Sequence, residues 1–119
     1  VLLAGLRSER LHWYFTNAKF EALTSRTVTD TTALAQLISE TRRNGYSIVE
    51  EELAFGVIAL AVPVFDASGR VVAALNTSSH SRATSIQSLL QRLPMLQRIS
   101  GEISAELARV PGLSLSAQV

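Results

Sequence analysis

The sequence predicts an α+β fold in which helices pack on an antiparallel sheet. Apolar residues recur every three or four positions in three separate segments, which is typical of amphipathic helices. Between the second and third of these segments the pattern becomes alternating or continuously apolar, which is typical of strands, and "DASG" supplies a hairpin turn. The chain has 119 residues, 47% of them hydrophobic, so it is long enough to bury one core.

The first two helices are predicted on either side of a polar connector. The segment "SERLHWYFTNAKF" predicts the first helix, and Ser8 is placed to cap its N-terminus. The connector "EALTSRTVTD" is expected to contain a short extended piece around residues 27–29. In the second helix, "DTTALAQLISETRRNG", Asp30 or Thr29 can cap the start, and Gly45 suits a left-handed exit.

Three strands and a last helical segment are predicted after Gly45. The strands lie in "YSIVEEE", "VIALAVPVFD" and "RVVAALNTS", and the last two form a hairpin. Pro63 lacks the N–H that a sheet ladder uses, so its strand is expected to lie at an edge or to carry a bulge near its middle. The segment "SIQSLLQRLPMLQRISGEISAELARV" predicts one long amphipathic helix, or two, with Pro94 marking a kink or a restart. Residues 111–119 are expected to form a tail.

Composition excludes several classes of function. The chain has no cysteine, which excludes disulfides, cysteine zinc sites and thiol nucleophiles. Nearly all of its 11 basic residues are arginines, but they are scattered and not interleaved with aromatics, so the chain by itself is a poor nucleic-acid binder. Its apolar runs are shorter than the about 18 residues that a membrane helix needs. Because "VLLAGLRSERL" starts without Met and inside a helical pattern, we expect an upstream part to be missing.

Residues suited to catalysis are few. Candidates are His12, His80 and the carboxylates of residues 50–52, of which only the first and third can share a strand face. These side chains match no metal-binding spacing, and the serines near His80 lack the G-x-S-x-G turn of a nucleophile elbow. We therefore expect the acidic run to be solvated where it leaves the sheet. A small α+β enzyme that uses His80 with Ser78 or Glu52 remains an alternative.

The small size of the side chains on one predicted sheet face is more informative about function than the catalytic candidates are. If the hairpin aligns Ala59, Ala61 and Ala74 with Asn76 and Ser78, that face holds only small side chains. Protein interiors do not leave space empty, so either helices pack closely on this face or a small ligand fills it. The two polar side chains favour a ligand, because burying one without a partner costs roughly 1–3 kcal/mol. The hairpin register decides between these two interpretations, and the "DASG" turn allows more than one register.

Several motifs together resemble the C-terminal effector domain of IclR-type bacterial transcription regulators. They are "RTVTD", "RRNGYSIVEEELAFG", "VIALAVPVFDASG" and "RVVAALNTSSH". In that family a threonine-containing connector precedes a helix that ends R-x-x-G-Y; an acidic pair, a glycine, a strand ending P-V-x-D and the strand V-x-A-A-L-x-x-S follow. The resemblance covers the chain apart from its tail. "RTVTD", "AVPV" and "AALN" look closest to the subgroup that controls breakdown of aromatic acids through the β-ketoadipate route.

The resemblance implies a GAF-like sensor domain over residues 1–110. Such a domain binds a small aromatic or keto carboxylic acid and carries no catalytic activity, cofactor or metal. One position departs from the pattern of some members, because valine replaces an acidic residue at position 49, which suits an aromatic ring there. The ligand-binding residues that the resemblance implies are Val49, Val57, Ala59, Asn76, Ser78 and, for a charge-assisted contact, His80.

The resemblance also implies partners. A winged helix-turn-helix domain, absent from this chain, would precede it and make the contacts with DNA. The protein is expected to be cytoplasmic, to have no membrane contact, and to form a homo-oligomer, either a dimer or a tetramer. A pure oligomerisation module with a dry, filled core is the remaining alternative.

Overall fold

The computed structural model describes residues 1–110, so the predicted tail at 111–119 lies outside the described residues. The described part contains a 3₁₀ turn at Leu3–Gly5, four helices and three strands. The helices are α1 (Ser8–Asn17), α2 (Thr31–Asn44), α3 (Ile86–Leu90) and α4 (Leu93–Ala108), and the strands are β1 (Ser47–Glu50), β2 (Val57–Phe65) and β3 (Val71–His80). The sheet is antiparallel in the order β1-β2-β3, so the predicted α+β fold is confirmed. None of the described helices is long and apolar enough to cross a membrane.

The core lies on one face of β2. The even-numbered residues from Ile58 to Val64 are buried, whereas the odd-numbered residues of the strand are less covered. Leu89 of α3 and Leu96 of α4 join the buried cluster, so these two helices cover this face of the sheet. Burying each such side chain stabilises the fold by roughly 1.5–3 kcal/mol, which makes this alternation the main determinant of the architecture.

The prediction that Pro63 lies in an edge strand is wrong, because β2 is the central strand. The backbone explains how proline is accommodated there. The Glu51 N–H donates to the Val57 carbonyl from the β1 side at 2.8 Å, and backbone groups that face one neighbour recur at every second residue, so Pro63 faces the same side. The last β1 pair joins Ser47 to Ala61. Since β1 has ended before it reaches Pro63, the proline interrupts no ladder hydrogen bond.

The bulge occurs near the end of β2 rather than at its middle. The register shifts between Val64 and Phe65, so that Phe65 pairs with Val71 and Val64 pairs with Ala73. The extra residue, Val72, is buried and 9% exposed. Simple alternation puts Val72 on the small-residue face and Val71 on the other, and the bulge exchanges these two assignments.

The helix termini follow their local signals with one exception. Asp30 caps α2 by accepting hydrogen bonds from two backbone N–H groups at 3.4 and 3.2 Å, and Gly45 ends the helix with φ of 78°. Pro94 lies in the first turn of α4, so it marks a restart after α3. Ser8 does not cap α1, because the helix already includes Ser8 and Arg7 occupies the cap position.

Replacing Leu60 by alanine should lower the free energy of unfolding by about 2–5 kcal/mol, because the side chain is fully buried and its loss leaves a cavity. Urea denaturation followed by circular dichroism measures the change. Leu53→Ala is the matched control: Leu53 is 66% exposed, so its replacement should change the free energy by less than about 0.5 kcal/mol. Equal losses in the two variants would contradict the assignment of Leu60 to the core.

Asp66 holds the β2–β3 hairpin turn together. Its carboxylate accepts hydrogen bonds from the Ser68 hydroxyl at 2.5 Å, the Ser68 N–H at 2.9 Å and the Arg70 N–H at 3.1 Å. The Ser68 hydroxyl is the main cause that holds the pKa of Asp66 below its ordinary value of 3.8, and the two N–H groups and the Arg70 charge act in the same direction. The turn is therefore built around an ionised carboxylate.

Asp66→Asn should make the free energy of unfolding less dependent on pH in the acid range. The folded-state pKa of Asp66 is lower than its unfolded value, so its contribution is complete above about pH 4 and is lost as the pH falls through the folded-state pKa. Urea midpoints of both proteins, measured from about pH 2 to pH 6, test this. Parallel pH curves for the two proteins would show that the turn does not depend on this charge.

Candidate functional site

The six residues predicted to contact a ligand lie on one face of the sheet. The register pairs Val49 with Ala59 and Ala59 with Ser78, so these three form a row across all three strands. Val57 pairs with His80 in a neighbouring row. This face is opposite to the one that α3 and α4 cover, because it carries the odd-numbered residues of β2.

The face changes from apolar to polar across the strands. Val49 of β1 and Val57 and Ala59 of β2 are apolar and partly buried, whereas Asn76, Ser78 and His80 of β3 are polar and exposed. Asn76 pairs with Ala61, and Ala74 follows on the same face. The register is therefore the one that gathers the small residues together, and the face combines an apolar floor with a row of hydrogen-bonding side chains.

A cavity of about 570 Å³ adjoins this face at its β1 edge. Its walls are residues 1–3, one side of α2 and strand β1. Val49 is the one predicted ligand contact among the lining residues, so it joins the cavity to the sheet face. The volume suits a small organic molecule. The contribution of α2 was not foreseen, because its periodicity shows which residues face inward but not that they leave space.

Arg42 secures one wall of this cavity. Its Nε donates to the Ala4 carbonyl at 2.6 Å and one Nη to the Leu6 carbonyl at 2.8 Å, so the guanidinium ties the N-terminal segment to α2. Gly5 also lies close to the sheet, since a Cβ on it would come within 2.4 Å of the Val71 Cβ. From sequence alone, Arg42 is placed only as a basic residue in the last turn of α2.

A second set of contacts fastens the connector before α2 to the chain that leaves β1. The Thr24 hydroxyl donates to the Glu51 carbonyl at 2.5 Å, and the Thr27 hydroxyl donates to the Glu52 carbonyl. Thr24 is 8% exposed, so it is a buried polar residue with its hydrogen bond satisfied. We call this four-residue set the clasp. Residues 27–29 of the connector, where a short extended piece is predicted, do not belong to a strand.

The three consecutive glutamates bind protein groups. Arg26 pairs with Glu50 through Nη1 at 3.2 Å and with Glu51 through Nε at 3.4 Å. The Glu52 carboxylate accepts from the Val28 N–H at 3.1 Å. The prediction that the acidic run is solvated is therefore wrong for Glu51 and Glu52, which are partly buried, while about half of the Glu50 side chain is exposed.

Two of the three groups named for a catalytic alternative accept hydrogen bonds from backbone N–H groups. His80 accepts from the Arg82 N–H through Nδ1 at 3.1 Å, and Glu52 accepts from the Val28 N–H. Among residues 1–110, no three metal-ligating side chains come together.

Comparison with known proteins finds a matching family. Residues 1–105 match the family described as "Bacterial transcriptional regulator IclR C-terminal". The chain is 39% identical over 108 residues to the Pca regulon regulatory protein of Pseudomonas putida, a match that covers 90% of this chain and 37% of that protein. The chain therefore spans less than half the length of this relative.

Solved structures share the fold. The chain is similar to the inducer-binding domain of a PobR double mutant from Acinetobacter, solved in complex with 3-hydroxybenzoic acid, with a TM-score of 0.82 and 34% identity over 87% of this chain and 59% of that one. It is also similar to the C-terminal domain of Escherichia coli KdgR, with a TM-score of 0.83 and 32% identity over 91% of this chain and 66% of that one.

Thr24→Val should lower the free energy of unfolding by roughly 1–3 kcal/mol, because it removes the hydroxyl and leaves the Glu51 carbonyl and the Arg26 N–H without their partner. Urea denaturation measures the loss. Thr29→Val is the matched control, since Thr29 is exposed and should tolerate the same change within about 0.5 kcal/mol. If both variants were as stable as the wild type, the clasp would contribute nothing to folding.

Proposed function

This chain belongs to the IclR C-terminal family of bacterial transcriptional regulators, and we propose that it is the part of such a regulator that binds a small aromatic or keto carboxylic acid. The observation that carries the proposal is the common face of the predicted contacts, with apolar residues on β1 and β2 and polar residues on β3. A mostly apolar site with a few convergent hydrogen-bonding groups is what small-molecule sites have in common.

The chemistry of the face suggests how an acid lies on it. Its ring or carbon chain rests on Val49, Val57 and Ala59, which offer apolar surface with little bulk. Its carboxylate accepts hydrogen bonds from the Asn76 amide and the Ser78 hydroxyl, because donors of this kind suit an oxyanion. His80, one row further along, adds a charge-assisted contact by donating from Nε2–H to the carboxylate.

The relatives support an aromatic ligand. One neighbour in fold is an inducer-binding domain solved with 3-hydroxybenzoic acid, and one relative in sequence is a regulator of the Pca regulon. Valine at position 49 agrees with this, since it gives the floor an apolar end.

The remaining parts of the proposal concern the whole protein. Residues 1–110 form the effector-binding domain, contact with DNA is made by a separate winged helix-turn-helix domain, and the regulator works in the cytoplasm as a homo-oligomer. Ligand binding changes its DNA affinity only if the ligand binds one arrangement of the oligomer more tightly than the other.

A thermal-shift screen with hydroxybenzoates, protocatechuate, β-ketoadipate and short keto acids tests the proposal. An acid at about one hundred times its dissociation constant should stabilise the chain by about 2.7 kcal/mol, a rise of several degrees in melting temperature. Asn76→Leu should abolish that rise, because it replaces the amide donor by an apolar side chain of similar size.

Asn17→Leu is the matched control, since Asn17 lies at the exposed end of α1 and should leave the ligand response unchanged. A saturable rise that survives Asn76→Leu would place the ligand elsewhere. A folded wild-type chain that responds to none of the acids would contradict the proposal and favour an oligomerisation module. Conversion of an acid into product would favour an enzyme.

A further inference from the structure

We propose that Glu51 and Gly56, in the loop between β1 and β2, are positioning residues that set the His80 imidazole in the effector site. The inference rests on the proposed function, which assigns His80 to the ligand. Neither residue lies on the sheet face itself. Their effect on the site passes through one contact, between the Gly56 backbone and the His80 ring.

The first step is the position of the ring. The Arg82 N–H donates to Nδ1 at 3.1 Å, so the neutral imidazole carries its proton on Nε2. A Cβ added to Gly56 would lie 2.3 Å from Nε2 and 2.7 Å from Cε1. The Nε2 edge of the ring therefore occupies the space that any side chain at position 56 would take.

The second step is that Gly56 is fixed on both sides. Its N–H donates to the Glu51 carboxylate at 2.7 Å, and its carbonyl accepts from the Ser81 N–H at 2.7 Å. Its φ of 82° is in the left-handed region, which glycine adopts without steric cost. The backbone beneath the imidazole is thus held by a side chain from one end of the loop and by the residue that follows β3.

The third step is that Glu51 is itself held in a costly conformation. It is the one non-glycine residue among those described with positive φ, at 56°. Such a conformation persists only where the surroundings over-determine it. The clasp supplies part of that constraint, since Thr24 binds the Glu51 carbonyl and Thr27 binds the next carbonyl. The ion pair between Arg26 and the Glu51 carboxylate supplies the rest.

His80, whose remaining donor is Nε2–H, lines a cavity of about 340 Å³ at the end of the sheet face, together with Glu51 and Gly56. His80 lies two residues beyond Ser78 on the same face, at a strand spacing of roughly 6.6–6.8 Å. The donor is held in place before the acid arrives, so binding does not have to order it. Glu51 and Gly56 therefore raise affinity by fixing the position of the His80 ring.

The test compares Gly56→Ala with Gly69→Ala in the full chain, with 3-hydroxybenzoate and 4-hydroxybenzoate as probes. Both glycines have nearly the same φ, 82° and 81°, so alanine costs similar backbone strain at each, but only position 56 has the imidazole above it, since nothing lies within 4 Å at position 69. Gly56→Ala should weaken binding about tenfold, the equivalent of one charge-assisted hydrogen bond, while Gly69→Ala stays within about twofold of the wild type.

A double-mutant cycle separates positioning from general damage. If Gly56 acts through His80, the pair Gly56→Ala and His80→Ala should bind no more weakly than His80→Ala alone. Losses that add in full, or equal affinities for the Gly56→Ala and Gly69→Ala variants, would overturn the inference while leaving the proposed function intact.

The position of the ring is read separately by NMR, as the ¹⁵N–¹⁵N coupling across the hydrogen bond from the Arg82 N–H to His80 Nδ1. It should persist in Gly69→Ala and disappear in Gly56→Ala. Should Gly56→Ala fail to fold, Glu51→Gly replaces it, because glycine keeps the left-handed backbone and removes the side chain whose carboxylate accepts from the Gly56 N–H.

If the wild type binds none of the acids in the thermal-shift screen, the proposed function fails, and the ¹⁵N–¹⁵N coupling alone tests the positioning. Its loss in Gly56→Ala or Glu51→Gly, with retention in Gly69→Ala, supports the inference. Retention in every variant overturns it.

Discussion

Alternation along β2 is the constraint on which the rest of the structure depends. From Ile58 to Val64 every second side chain is buried against α3 and α4, and this strand lies at the centre of the sheet. The positions between them are small or proline, so the opposite face has little volume of its own. The same strand thereby fixes both the packed side of the molecule and the side on which space remains for a ligand.

Local signals allowed much of this to be predicted. The helical periods, the Asp30 cap, the Gly45 exit and the restart at Pro94 each depend on residues within a few positions of one another. The shared face of the candidate contacts followed from side-chain alternation once the hairpin register was known. Alternation alone shows only which residues share a face. The resemblance to a family indicated which of those residues are candidate ligand contacts.

The features that were missed depend on partners far away in sequence. Arg42 binds carbonyls 38 and 36 residues before it, and Thr24 binds a carbonyl 27 residues after it. A run of glutamates at a strand end is expected to be exposed to solvent. That these carboxylates bind Arg26 and Val28 becomes clear only when the position of the connector is known. Pro63 in a central strand is likewise acceptable only because the neighbouring strand is short, which is a property of β1 rather than of the proline.

The bulge between Val64 and Phe65 separates the hairpin turn from the rest of the β2–β3 ladder. An irregular pair at this point can absorb a change in the length of the turn, while packing of the even-numbered β2 residues keeps the pairing from Val64 onward in register. Insertions and deletions at the turn therefore leave the strand pairing of Asn76 and Ser78 unchanged. Over evolutionary time the hairpin tip is free to vary in length without altering which side chains lie on the small-residue face.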